Sequence, residues 1–111
     1  MKLFIRATLA MVILGLLARY ALAVEPTWNY AVQVSAAVQA NPAQIVLSWP
    51  QDTSVTPTNY TVSRKAPGAT TWGSAVSLSG NTLSYTDTSV AVGTAYEYRV
   101  AKTAGSYNGY G

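Results

Sequence analysis

The sequence predicts an all-β fold, an antiparallel sandwich of about seven short strands, and three observations carry that prediction. Large apolar residues recur at every second position in separate runs: Ile45, Leu47 and Trp49; Tyr60 and Val62; Tyr96, Tyr98 and Val100. That is the period of strands with one buried face. Turn signals (Asn41-Pro42, Pro67-Gly68, Gly80-Asn81, Gly93-Thr94) punctuate the runs, at roughly the 8–12-residue spacing of a sandwich. Past Ala23, Thr, Ser, Val, Ala and Tyr dominate while Lys and Glu are scarce, a β composition.

Residues 1–23 stand apart from this pattern. Lys2 and Arg6 give a basic start, Ala7 to Ala18 is almost wholly apolar, and Ala21-Leu22-Ala23 has the small-x-small form of a signal peptidase site. As a helix that apolar run spans about 18 Å, short of the ~30 Å hydrocarbon core of a bilayer. The segment reads as a signal peptide cleaved before Val24; the alternative is an uncleaved anchor flanked by Arg19. A secreted or periplasmic protein is expected, with no membrane contact once the segment is removed.

Charge follows the same division. The formal net charge is +3, and Lys2, Arg6 and Arg19 lie in the export segment. Beyond it, Arg64, Lys65, Arg99 and Lys102 balance Glu25, Asp52, Asp87 and Glu97, so charge gives no case for a nucleic-acid partner. With no cysteine in the chain, neither a disulfide framework nor a lipid-anchored amino-terminal Cys is available, and stability must come from apolar packing.

Taken in order, residues 24–29 are a lead-in containing Pro26 and Trp28, the latter placed to plug a sandwich end. Tyr30 to Val38 alternates loosely, as a first edge strand. Gln44 to Trp49 is a clear strand stopped by Pro50. A polar loop carrying Asp52 leads to Asn59–Lys65, with Tyr60 and Val62 inward and Arg64-Lys65 as a solvated strand end. Thr70 to Trp72 and Ala75 to Leu78 are weaker strand candidates. Thr82 to Thr86 points Leu83 and Tyr85 inward, and Ala95 to Lys102 is the last strong strand, with Glu97 outward. Asn59-Tyr-Thr61 is a formal glycosylation acceptor on a strand. No helical periodicity follows Ala23.

Tyr96, just past the Gly93-Thr94 corner, sits where a sandwich places a tyrosine corner, its hydroxyl tied to nearby backbone. At the other end of this strand, Asn108-Gly109 is a strong hairpin signal. Only Tyr110 and Gly111 follow it, so the sequence predicts a truncated last strand. The strand Ala95 to Lys102 would then be an open edge, inviting self-association.

Val46-Leu-Ser-Trp49-Pro50, Asn59-Tyr-Thr-Val-Ser-Arg64, Trp72, Tyr85-Thr-Asp87 and Gly93-Thr-Ala-Tyr96-Glu-Tyr-Arg-Val100 together resemble a fibronectin type III domain, an immunoglobulin-like sandwich. The likeness is greatest to modules embedded in large secreted bacterial proteins, among them hydrolases and surface proteins. It implies that Trp49 and Tyr60 are core packing residues and that Tyr96 is the tyrosine corner. Val90 and Val92 stand where the family usually has Leu and Pro, which keeps the apolar contact and gives up the rigidity of Pro. The implied organisation is a signal peptide over 1–23, a lead-in over 24–29, and a fibronectin type III-like sandwich over 30–111, incomplete at its carboxyl end.

The catalytic inventory is poor. With no His and no Cys, Ser-His and Cys-His nucleophilic mechanisms and imidazole or thiolate metal sites are excluded. An acid/base carboxylate pair must lie within about 10 Å. Asp52 and Asp87 belong to loops at opposite ends of the sandwich, on the order of 20 Å apart for strands of ordinary length. In Tyr85-Thr-Asp87-Thr88 the carboxylate suits an Asx-type turn better than calcium, which needs six or more oxygens. No catalytic, cofactor-binding or metal-binding residue is therefore expected, and no cofactor.

Aromatic residues give the binding hint. Trp72, Tyr107 and Tyr110 fall outside the inward set, and exposed aromatic faces stack on sugar rings or proline-rich peptides. The competing reading has Trp72 packing on a sheet edge and both tyrosines belonging to the last hairpin. The expected function is a non-enzymatic spacer or protein-interaction module of a larger secreted protein. The alternative is an accessory carbohydrate-binding module of a secreted hydrolase, so a protein or a polysaccharide is the expected partner.

Overall fold

The computed structural model describes residues 31–111, the side chain of Tyr107 excepted. The export segment, the lead-in with Trp28, and Tyr30 lie outside the described residues. Seven strands follow in order: β1 (Ser35–Ala40), β2 (Ala43–Ser48), β3 (Asn59–Lys65), β4 (Val76–Ser79), β5 (Ser84–Asp87), β6 (Glu97–Ala104) and β7 (Tyr107–Tyr110). They form two antiparallel sheets with strand orders β1-β2-β5 and β4-β3-β6-β7.

The alternating residues meet between these sheets. Val32, Leu47, Trp49, Tyr60, Val62 and Val100 are buried, with Val34, Ile45, Leu78, Tyr85 and Tyr98 packed against them. The Trp49 and Tyr60 rings, one from each sheet, lie 5.3 Å apart at 44°, and the Trp49 indole N–H donates to the Thr82 carbonyl at 2.9 Å. Each ring thus gives its apolar body to the core, while the indole keeps a partner for its polar edge.

Four features depart from the sequence reading. Val32 and Val34 are core residues, yet β1 begins only at Ser35 and is exposed throughout. The Val32 N–H donates instead to the Tyr110 carbonyl of the other sheet at 3.1 Å. Alternation reports which side chains are buried, not which strand accepts the hydrogen bonds. Thr70 to Trp72 forms no strand. Leu83, expected inward, is 41% exposed just before β5, where its carbonyl accepts the Trp49 N–H at 3.0 Å.

The fourth departure is the last hairpin. It turns at Gly105-Ser106, not at Asn108-Gly109. Gly105 has φ +60° and no non-glycine residue among those described has a positive φ, the pattern of a type II′ turn with glycine first. Turning there lets β7 pair with β6 over Ala101↔Tyr110, Lys102↔Gly109, Thr103↔Asn108 and Ala104↔Tyr107. Gly111 then exchanges both backbone bonds with Val100, at 2.7 and 2.8 Å. The strand expected to be an open edge is therefore an inner strand between β3 and β7.

Candidate functional site

Strand β6 is the axis of the site. Val100, Lys102 and Ala104 are buried, so Arg99, Ala101 and Thr103 alternate to the outer face of the four-stranded sheet. The loop after β3 folds onto that face. Pro67-Gly68 turns the chain with Gly68 at φ +79°, and the Lys65 ammonium donates to the Ala69 carbonyl at 2.7 Å. The Gly73 N–H then returns to the Arg64 carbonyl at 2.9 Å. A Cβ on Gly73 would itself lie 2.9 Å from that oxygen, so the close return favours glycine.

This path sets Trp72 between two cations. Its ring centroid is 5.1 Å from the Lys65 ammonium and 4.8 Å from the Arg99 guanidinium. Arg99 also lies over the Tyr110 ring, at 5.7 Å. Tyr110 reaches it diagonally, because its direct partner on β6 is Ala101. Of the three aromatic candidates, Trp72 and Tyr110 are brought together on one guanidinium, while the Tyr107 side chain is outside the description. Arg99 was missed by sequence reasoning. Its outward position could be read from the β6 alternation, but a stack on a loop residue that precedes β4 and β5 in the chain has no local signature.

Ion pairing distinguishes Arg99 from the other basic side chains. Arg64 pairs with Asp87 at 2.7 Å and Lys65 with Glu97 at 3.0 Å, and Lys102 pairs with Asp52. Neither Arg64 nor Lys65 is the solvated strand end that the sequence suggests. Among the described residues the acidic side chains are Asp52, Asp87 and Glu97, each engaged by another cation. Arg99 has no carboxylate partner there.

The two aspartates have separate sets of partners. Asp87 accepts the Ser89 N–H at 2.9 Å and hydroxyl at 2.7 Å, the Arg64 guanidinium at 2.7 Å and the Tyr98 hydroxyl at 2.9 Å. The Asx-type turn expected at Asp87 is thus present, within a larger network. Burial alone would raise the Asp87 pKa, but these donors outweigh it and hold the carboxyl below its ordinary value. Burial and the bond to Asp87 push the Tyr98 hydroxyl up to about 12. Arg64 also lies 4.8 Å from the Tyr96 ring centroid, and the Tyr96 hydroxyl accepts the Ala91 N–H at 2.9 Å, which is the tyrosine corner.

Asp52 accepts the N–H groups of Ser54 and Val55 at 2.9 and 3.1 Å, and its other oxygen meets the buried Lys102 ammonium. Burial again raises its pKa, and the Lys102 and backbone donors bring it below the ordinary value. The pair was not foreseen, because Lys102 read as the end of a strand. Tyr98 and Lys102, which reach the two aspartates, are four residues apart on β6. A cleft of about 220 Å³ beside Asp87 and one of about 90 Å³ beside Asp52 are both smaller than the roughly 300–1,000 Å³ usual for small-molecule sites.

No family model matches the chain, and no curated protein sequence matches it. Among solved structures it is similar to the crystal structure of chicken CNTN1 FN1-FN3 domains, with a TM-score of 0.56 and 20% sequence identity. The match covers 69% of this chain and 27% of that one. The fold is fibronectin type III-like.

Proposed function

We propose, proceeding from this fibronectin type III-like fold, that the chain is a non-catalytic, exported interaction module of a larger secreted protein. It would engage a partner protein through the outer face of its four-stranded sheet. The observation that carries this reading is the convergence of Trp72, Arg99 and Tyr110 on that face, with Tyr110 56% exposed. Aromatic residues and arginine are the side chains enriched at interface centres. The Trp72 ring is already engaged by the Lys65 ammonium and the Arg99 guanidinium, at 5.1 and 4.8 Å, which ranks a carbohydrate-binding role second.

Tryptophan fluorescence of the chain titrated with soluble neutral polysaccharides is the test. A flat response is expected. A saturable shift that disappears in Trp72→Phe would overturn the protein-interaction reading in favour of the carbohydrate one.

A further inference from the structure

We infer that Arg99, held by Trp72 and Tyr110, is a recognition site for a carboxylate side chain of an acidic peptide segment. The inference rests on the proposed interaction role and gives that face a ligand chemistry. A guanidinium donates in its own plane, through five N–H groups in a fixed fork. The Trp72 and Tyr110 ring centroids lie 4.8 and 5.7 Å from the Arg99 guanidinium carbon, so both rings hold the cation without supplying a carboxylate for its donors. Those contacts also limit the rotamer freedom that an exposed arginine would otherwise lose on binding.

Charge and shape select the ligand. Every described acidic side chain is already engaged by Arg64, Lys65 or Lys102. Among the described residues no side-chain carboxylate competes for Arg99, and a planar carboxylate matches its fork in bidentate geometry. The neighbouring Lys65 is neutralised by Glu97 at 3.0 Å, so among the described side chains of the patch Arg99 is the cation that no acidic side chain pairs. That suits an isolated carboxylate better than a densely charged polyanion, whose binding grows with the number of cations it meets. Ala101, Thr103 and Asn108 continue the same face with short side chains, over which an extended peptide can lie. A uronic acid would supply the same carboxylate, and the titration below separates it from the peptide.

The test is an NMR titration of the full chain, following the Arg99 Nε–H and Trp72 indole signals. The probes are an end-blocked (Glu-Ser)₄ peptide, its (Gln-Ser)₄ counterpart and trigalacturonate. A saturable shift of both signals by the glutamate peptide is expected, with at least tenfold weaker binding for (Gln-Ser)₄ and trigalacturonate. Arg99→Gln should weaken the glutamate peptide at least tenfold. Arg99→Lys, which keeps the charge and loses the fork, should weaken it severalfold, and covers the case in which Arg99→Gln does not fold.

An Arg99 signal that does not move, or equal binding of the glutamine peptide, overturns the inference. So does tighter binding of trigalacturonate. If the peptide shifts Ala101, Thr103 and Asn108 amides while Arg99 stays still, the carboxylate assignment fails and the interaction face survives.

Discussion

Tyr96 immediately precedes β6 and Lys102 lies within it, and they differ in how far away their partners lie. The Tyr96 hydroxyl accepts the Ala91 N–H at 2.9 Å, five residues upstream. Because donor, turn and acceptor belong to one short stretch, Gly93-Thr94-Ala95-Tyr96 announces the contact in sequence. Tyr96→Phe is expected to cost about 1 kcal/mol, the net worth of one such bond, read as a lower urea midpoint at unchanged slope. Lys102 gives no such signal. Its carboxylate comes from Asp52, fifty residues earlier, and an inward lysine breaks the apolar alternation that makes the rest of β6 legible. Arg99 is hidden for the same reason, since Trp72 and Tyr110 reach it from a loop and another strand.

Among the elements, β3 is read from the sequence with its observed bounds, Asn59–Lys65. Its two inward apolar residues pack the core while the strand pairs on both sides. The last hairpin is the contrary case. Asn108-Gly109 has the stronger turn chemistry, but Gly105-Ser106 gives the longer ladder on β6, and the paired backbone decides. The two positions make opposite predictions. Gly105→Ala forces a Cβ into φ +60°, which costs about 1–2 kcal/mol. Asn108→Thr, on the outer face opposite Thr103, should change stability by less than about 0.5 kcal/mol. Thermal melts of the two variants check the order, which reverses if the chain turns at Asn108-Gly109.

For the whole molecule, pH is the broad probe. Asp52 and Asp87 both have folded pKa values below 3.8, so near that pH the unfolded chain binds more protons than the folded one. Their stabilisation is complete above the unfolded value and is lost as pH falls through the depressed folded values. The melting temperature should therefore hold from pH 7 to about 5 and fall below about 4, with a shallower fall in Asp87→Asn. Tyr98 acts at the other limit. Its hydroxyl is raised from 10.0 to about 12, so the unfolded chain ionises first and stability declines between those values. The two-sheet architecture was legible because it rests on alternation and turns. The polar contacts that set these pH limits were not, because each joins residues from different strands or loops.

The Val32–Tyr110 bond has a kinetic consequence. It joins a residue before β1 to one near the end of β7, so closing it in an unfolded chain would mean closing a loop of almost the whole domain. Loop entropy makes such a contact a poor starting point for folding. The β6–β7 hairpin, by contrast, needs only a two-residue turn. The segment at Val32 therefore docks after the sheets have assembled, and the Val32 amide reports how often that final latch lifts.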